Sequence, residues 1–407
     1  MLRNNKDVHI RKKLSKLLKS RDIKVRLTKR HRASNILRLT GLCSVGMSLL
    51  FLLYIVITLC SNCYYALQLT EVLVPLHIED NVDARKIITN GLTQILPGDN
   101  VENIISGSAN WTLLQFIDNN PDSVGRNVEM WLPAHSQLSG AVKYNQASVI
   151  KDKMYSMDRI RVVFNFNLFT NADSQYPQYA GILGAFVGSL FTILTCCICA
   201  LPIGIMTGVY LHEFKFKSKL LTSVIEVSIN NLSATPSIIF GVVGVYFYIE
   251  VLGIPRSSAL IGGLVLSLMI LPVIVISTRQ ALNSVPSGIK EGAIALGATK
   301  MQVLLHHILP YSFPGIITGT ILGIARVLGE SAPLLMVGMA AFIANTPDSL
   351  LEPATVFPLQ IYLWVNQADP AFAELNSVLV LILLFILLIL NITATFIRRK
   401  AHIATHY

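Results

Sequence analysis

Residues 39–69, 180–211, 227–249, 257–278 and 375–397 each run for more than twenty positions without one Asp, Glu, Lys or Arg. A helix that crosses the hydrocarbon core of a bilayer needs about 20 apolar residues, so each run reads as a membrane span. A sixth run, 311–340, is interrupted only by Arg326 and Glu330. With 53% hydrophobic and 14% charged residues, the chain is too apolar for a soluble protein of several domains. The first run is a signal anchor rather than a cleaved signal peptide. Its apolar core exceeds the usual length, and no small-residue cleavage site follows it.

The formal charge of +10 raises the question of nucleic acid, and the position of the charge answers it. Residues 1–38 carry fourteen Lys or Arg against Asp7 and Asp22, so this arm holds all the excess. A basic arm beside a first hydrophobic helix reads as a cytoplasmic retention signal that touches anionic lipid, not as a nucleic-acid binder. The connecting segments agree with basic residues inside. Lys215, Lys217 and Lys219 follow the second run, Arg279, Lys290 and Lys300 follow the fourth, and Arg398, Arg399 and Lys400 follow the last. Segment 341–374 has Asp348, Glu352, Asp369 and Glu374 and no Lys or Arg, so it is expected outside. Six spans then leave both termini in the cytoplasm.

These features divide the chain into a basic cytoplasmic arm (1–38), a first transmembrane helix (39–66), an extracytoplasmic domain (67–179), a five-helix core (180–397) with a cytoplasmic loop (279–310), and a cytoplasmic tail (398–407). In the extracytoplasmic domain, turn signals such as Asn120-Pro121-Asp122 separate short apolar patches such as Arg161-Val162-Val163-Phe164, which suits a small α+β module. His77 and His135 are isolated there and form no catalytic group. Cys60 and Cys63 have C-x-x-C spacing but no second pair, so no metal site is expected, and the six cysteines read as packing residues.

Three features of the core carry function. In the cytoplasmic loop, Pro286 suits the first turn of a helix, Gly297 interrupts it, and Thr299 with Gln302 forms a capping box for a second helix that Pro310 and Pro314 are expected to stop. Two short helices around a Gly bend make a knob that can dock on a cytoplasmic partner, or an ordinary solvated loop. In the sixth run, Arg326 and Glu330 are four residues apart and can pair on one helix face. A charge within a span costs on the order of 3 kcal/mol and faces a cavity or the bundle interior. The pair can therefore serve an anion pathway, lock the helix, or do both. Gly315, Gly319 and Gly323 form a small-residue strip for close helix packing, and Pro202, Pro236, Pro272 and Pro333 are expected to interrupt four spans.

The stretch Glu291-x-Ala293-x-x-x-Gly297, followed by Leu309-Pro310, resembles the EAA loop of ABC-importer permeases, with Gly292 in the second position and His307 in place of an Ile. Residues 325–335, Ala-Arg-Val-Leu-Gly-Glu-Ser-Ala-Pro-Leu-Leu, resemble the corresponding segment of A-type permeases of phosphate importers, as do 231–241 and 297–300. The resemblance covers roughly residues 180–397. It implies an all-α membrane bundle of the type I importer kind, with the extracytoplasmic α+β insert added. It also implies a bacterial inner-membrane location, no enzymatic activity and no cofactor. The EAA loop becomes the coupling helix that seats in a cytoplasmic ATPase subunit dimer. The chain itself has no G-x-x-x-x-G-K-[ST] segment for nucleotide phosphates. A homologous second permease subunit and an extracytoplasmic phosphate-binding protein are the other implied partners. Sulfate or molybdate is the alternative substrate, and a membrane-anchored sensor the alternative of another class.

Overall fold

The computed structural model describes residues 21–79, 83–97, 101–214 and 219–404. The first half of the basic arm, Lys215 and Lys217 lie outside the described residues. Two compact units divide at Ser61 and Asn62. The first described helix, α1 (Arg21–Ala66), passes through that boundary. It begins well before residue 39, because no Gly or Pro lies between Arg21 and Thr40 to stop a helix from growing outward from the apolar run.

After α1 the chain enters a three-stranded antiparallel sheet of order β2-β1-β3, with β1 at Gln68–His77, β2 at Asn127–Pro133 and β3 at Ile160–Phe164. Val72 faces Leu132 on one side and Ile160 on the other. Alternate β1 residues Val72, Val74 and Leu76 are buried under α2 (Ala84–Ile95), α3 (Ala109–Asn119), α4 (Ser136–Lys143) and α5 (Val149–Ser156). A short helix, α6 (Asn167–Thr170), leads out of the insert. An α+β module was the expectation, and this is one.

The core opens with α7 (Leu183–Glu213). Next come α8 (Lys219–Ala234) and α9 (Ser237–Gly244), the latter continuing as a π-helical turn, Val245–Val251. The two halves meet at 101°. Pro236 has no N–H to donate and disfavours helical geometry in Thr235, so run 227–249 is broken into a bent helix pair. Pro202 and Pro272, by contrast, stay inside the unbroken helices α7 and α10 (Ala259–Asn283), contrary to expectation. Pro272 is buried, where neighbouring helices can satisfy the freed carbonyl, whereas Pro202 is exposed. Those two helices pack along Cys196, Ala200, Ile270 and Ile274, the centre of the main apolar cluster.

The loop helix α11 (Ser287–Ala295) precedes α12 (Lys300–Val303), a π-helical turn at Leu304–Ile308 and α13 (Leu309–Leu328). A short α14 (Ala332–Met336), α15 (Phe357–Val365) and the long α16 (Ala371–Ala404) complete the described chain. Among the described residues, five helices are long and apolar enough to cross a membrane, or six if the bent pair is one span. The run 311–340 is not one helix, since it ends at Leu328.

Candidate functional site

Pro286 is the N-cap residue of α11, and Gly297 adopts φ +88°, a value that any side chain would strain. The predicted capping box forms. Thr299 Oγ1 accepts from Gln302 N at 3.3 Å, and Gln302 Oε1 accepts from Thr299 N at 2.9 Å. Pro310 and Pro314 do not stop the second helix. Lys300–Leu328 runs as one 29-residue helical stretch, with a wider turn at Leu304–Ile308 just ahead of Pro310.

The loop has an inner and an outer side. Ala293 is buried against Leu282, Val303, Leu304 and Ile308. Outward stand Glu291, Gly297 and a set of apolar side chains: Ile294, Met301, Leu305 and, 91% exposed, Leu296. Leu309 is half-buried and Pro310 exposed. Lys290 Nζ meets Glu213 Oε2 at 2.7 Å, so the loop is latched to the end of α7. The same carboxylate accepts from His212, whose other ring nitrogen lies 3.0 Å from Asn283 Oδ1 at the end of α10. Arg279 pairs with Glu226 of α8 at 2.6 Å. Apart from the adjacent His212 and Glu213, these partners are tens of residues apart in sequence, and no local pattern announces them.

On α13 the glycine strip lies against α10. A Cβ on Gly319 would come 2.4 Å from Ser277 Cβ, on Gly315 2.9 Å from Ala281 Cβ, and on Gly323 3.0 Å from Ile270 Cδ1. Beside this seam a cavity of about 680 Å³ opens between α10 and α13, lined by Gln280, Ser284, Tyr311, Thr318, Leu322 and Arg398 among others. Arg326 is exposed and lies one turn beyond Leu322 on the same helix face, about 16 Å along the axis from Gly315.

Arg326 and Glu330 do not form the expected pair; among the described residues no ion pair joins them. Helix α13 ends at Leu328 with Gly329 as its cap, so Glu330 leaves the face that four-residue spacing would give it. Glu330 instead lines a separate narrow cleft with Ser189, Thr192 and Leu334. The buried Thr192 hydroxyl there has no hydrogen-bond partner among the described residues. The bent helix pair and α14 meet at this level, where a Cβ on Gly241 would lie 2.6 Å from the Pro333 carbonyl oxygen.

Sequence reasoning missed the attachment of the insert to the last span. Lys143 Nζ lies 2.8 Å from Glu374 Oε2, with both side chains about nine-tenths buried, and Tyr144 donates to Glu374 Oε1 at 3.0 Å. Burial and then the Glu374 carboxylate push the Tyr144 phenol up to about 12. Ser136 donates to Asp369, whose other oxygen accepts from Ala371 N at the start of α16.

Unbroken apolar helices, a bent helix pair and a helical loop latched to their ends describe a multi-pass membrane permease bundle. Residues 200–401 match the family described as binding-protein-dependent transport system inner membrane component, and residues 24–150 match a domain of unknown function (DUF3333). The phosphate transport system permease protein PstA of Haemophilus influenzae is 30% identical over 240 residues, covering 58% of this chain and 82% of that protein. PstA of Yersinia pestis is 34% identical over 221 residues, covering 54% and 73%. The probable ABC transporter permease protein YqgH of Bacillus subtilis is 31% identical over 253 residues, covering 59% and 79%. A chain of the inward-facing MetNI methionine ABC transporter aligns with a TM-score of 0.43 and 20% identity, over 54% of this chain and 94% of that one. The chain belongs to the family of binding-protein-dependent transport system inner membrane components. Such a subunit is a multi-pass inner-membrane protein and not itself an enzyme, and it works with an ATPase, a second permease subunit and a binding protein.

Proposed function

We propose that this chain is one permease half of an ATP-driven importer of inorganic phosphate, with Arg326 on the anion's path. The observation that carries this is a cation in the last turn of α13, exposed and without an ion-pair partner among the described residues, on the helix face that also walls the cavity of about 680 Å³. A guanidinium facing lipid would be costly, so this face belongs to a wet pathway between two permease halves. Arg offers a planar fork of donors that suits phosphate oxygens. Phosphate carries one to two negative charges at neutral pH, so the second permease subunit contributes further cationic groups.

The same reading gives the loop its task. Leu296, Ile294, Met301 and Leu305 offer an apolar face to the ATPase dimer, while Glu291, Ala293, Gly297, Leu309 and Pro310 shape the loop that presents it. Lys290 and Glu213 hand the motion to α7. The continuous helical stretch from Lys300 to Leu328, with its wider turn at Leu304–Ile308, carries it on to Arg326, so closing the ATPase moves the anion's contact. Glu330, at the hinge between α13 and α14, lines the neighbouring cleft. Phosphate arrives from an extracytoplasmic binding protein, and the Lys- and Arg-rich segments set both termini in the cytoplasm.

The test is ATP-dependent uptake of radiolabelled phosphate into proteoliposomes holding the assembled transporter and its binding protein. Uptake unaffected by excess sulfate or molybdate is expected. Equal competition by either would replace phosphate with a broader oxyanion class.

A further inference from the structure

The inner face of the insert's sheet is left uncovered at one edge. Ile160, Val162 and Phe164 point to the same side of β3, the side that carries Val72 and Val74 in β1. Ile160 is buried under the helices, but Val162 is 43% and Phe164 47% exposed. Phe166 and Phe169 extend this apolar surface at 69% and 40% exposure. Their rings cluster on Phe164, with centroids 4.8 and 6.1 Å from it. Leu168, fully buried, fixes α6 beneath them.

The position of this patch identifies what covers it. Phe164 pairs with Gln68, two residues beyond the end of α1, and Asn165 N donates to Leu67 O at 2.9 Å. On the other side Ile182 N, one residue before α7, donates to Leu168 O at 2.8 Å. The patch is thus hydrogen-bonded to both segments where the chain crosses the outer membrane surface. Residues 162–172 contain no Asp, Glu, Lys or Arg, so nothing charged marks a docking site for a polar protein partner. Exposed apolar side chains such as Phe beside the span ends gain by burying shallowly at the headgroup/acyl boundary of a bilayer.

We propose that Val162, Phe164, Phe166 and Phe169 form an interfacial foot that rests in the lipid headgroup region of the outer leaflet and holds the insert against the membrane. The test places a reporter in the foot. The full chain carrying Phe166→Trp is reconstituted in vesicles whose acyl chains are brominated near the headgroups, and the wild-type emission is subtracted. Phe169→Trp is a second reporter if the first does not fold. The added emission should fall roughly two-fold or more in brominated vesicles and resist aqueous acrylamide, alone and in the assembled transporter. Full acrylamide quenching with no bromine effect would overturn the proposal. So would protection that appears only when the other subunits are added, since the cover would then be protein.

Discussion

Replacing Glu374 with alanine removes the carboxylate that ties the insert to the last span, and the cost follows from the geometry. Unit charges 2.8 Å apart attract by about 6 kcal/mol in an effective dielectric of about 20. Much of this offsets the desolvation of two groups that keep only 9% and 11% of their side-chain exposure. Truncating one partner leaves the Lys143 ammonium buried without its carboxylate, among neutral polar groups such as Gln68, Ser139, Asn165 and Gln178. The expected loss is about 3 kcal/mol, at the lower end of the range for broken buried pairs because some solvent still reaches the site. Removing both charges in Lys143→Met with Glu374→Leu should cost less than about 1 kcal/mol, a coupling of about 2 kcal/mol or more. Reversible unfolding of the full chain in mixed micelles would measure Glu374→Ala, the single variants Lys143→Met and Glu374→Leu, and their double. A Glu374→Ala change within about 0.5 kcal/mol of wild type, or single effects that simply add, would refute the reasoning.

Asp173 accepts from Trp364 Nε1 at 2.8 Å, and burial raises its pKa above the ordinary 3.8. A raised carboxylate pKa lowers folded-state stability as pH climbs from 3.8 through the folded value. Asp173→Asn should therefore gain on wild type across that window, while Asp173→Ala, which orphans the indole N–H, should lose about 1–3 kcal/mol; thermal unfolding against pH reads both. Gly319→Ala drives a Cβ against Ser277 and should cost about 1–3 kcal/mol. Gly292→Ala, with nothing within 4 Å of the new methyl, should be stabilising by about 0.5–1 kcal/mol in the same unfolding assay. Leu296→Asp should weaken capture of the ATPase about tenfold or more without altering unfolding, as titration of the reconstituted permease with the ATPase would show.

The spans were legible because lipid demands long apolar helices, and their sequences can hardly hide it. Proline was less legible. The helices on either side of Pro236 meet at 101°, whereas Pro202 and Pro272 sit in unbroken helices, so the proline alone does not tell the two outcomes apart. The Arg326–Glu330 pairing failed because α13 ends at Leu328, before Glu330, and four-residue spacing holds only while the helix continues. The capping box at Thr299 held because both its bonds lie within four residues. The latch at Lys290 and the clamp at Glu374 join residues 77 and 231 positions apart, and only the folded chain brings them together.

Transport by an Arg326→Ala variant in an intact complex tests the central claim most directly. The variant should co-purify with its ATPase and second permease subunit yet lose ATP-driven phosphate uptake, with Arg326→Lys recovering part of it. A fully assembled Arg326→Ala complex that takes up phosphate as fast as wild type would remove Arg326 from the pathway.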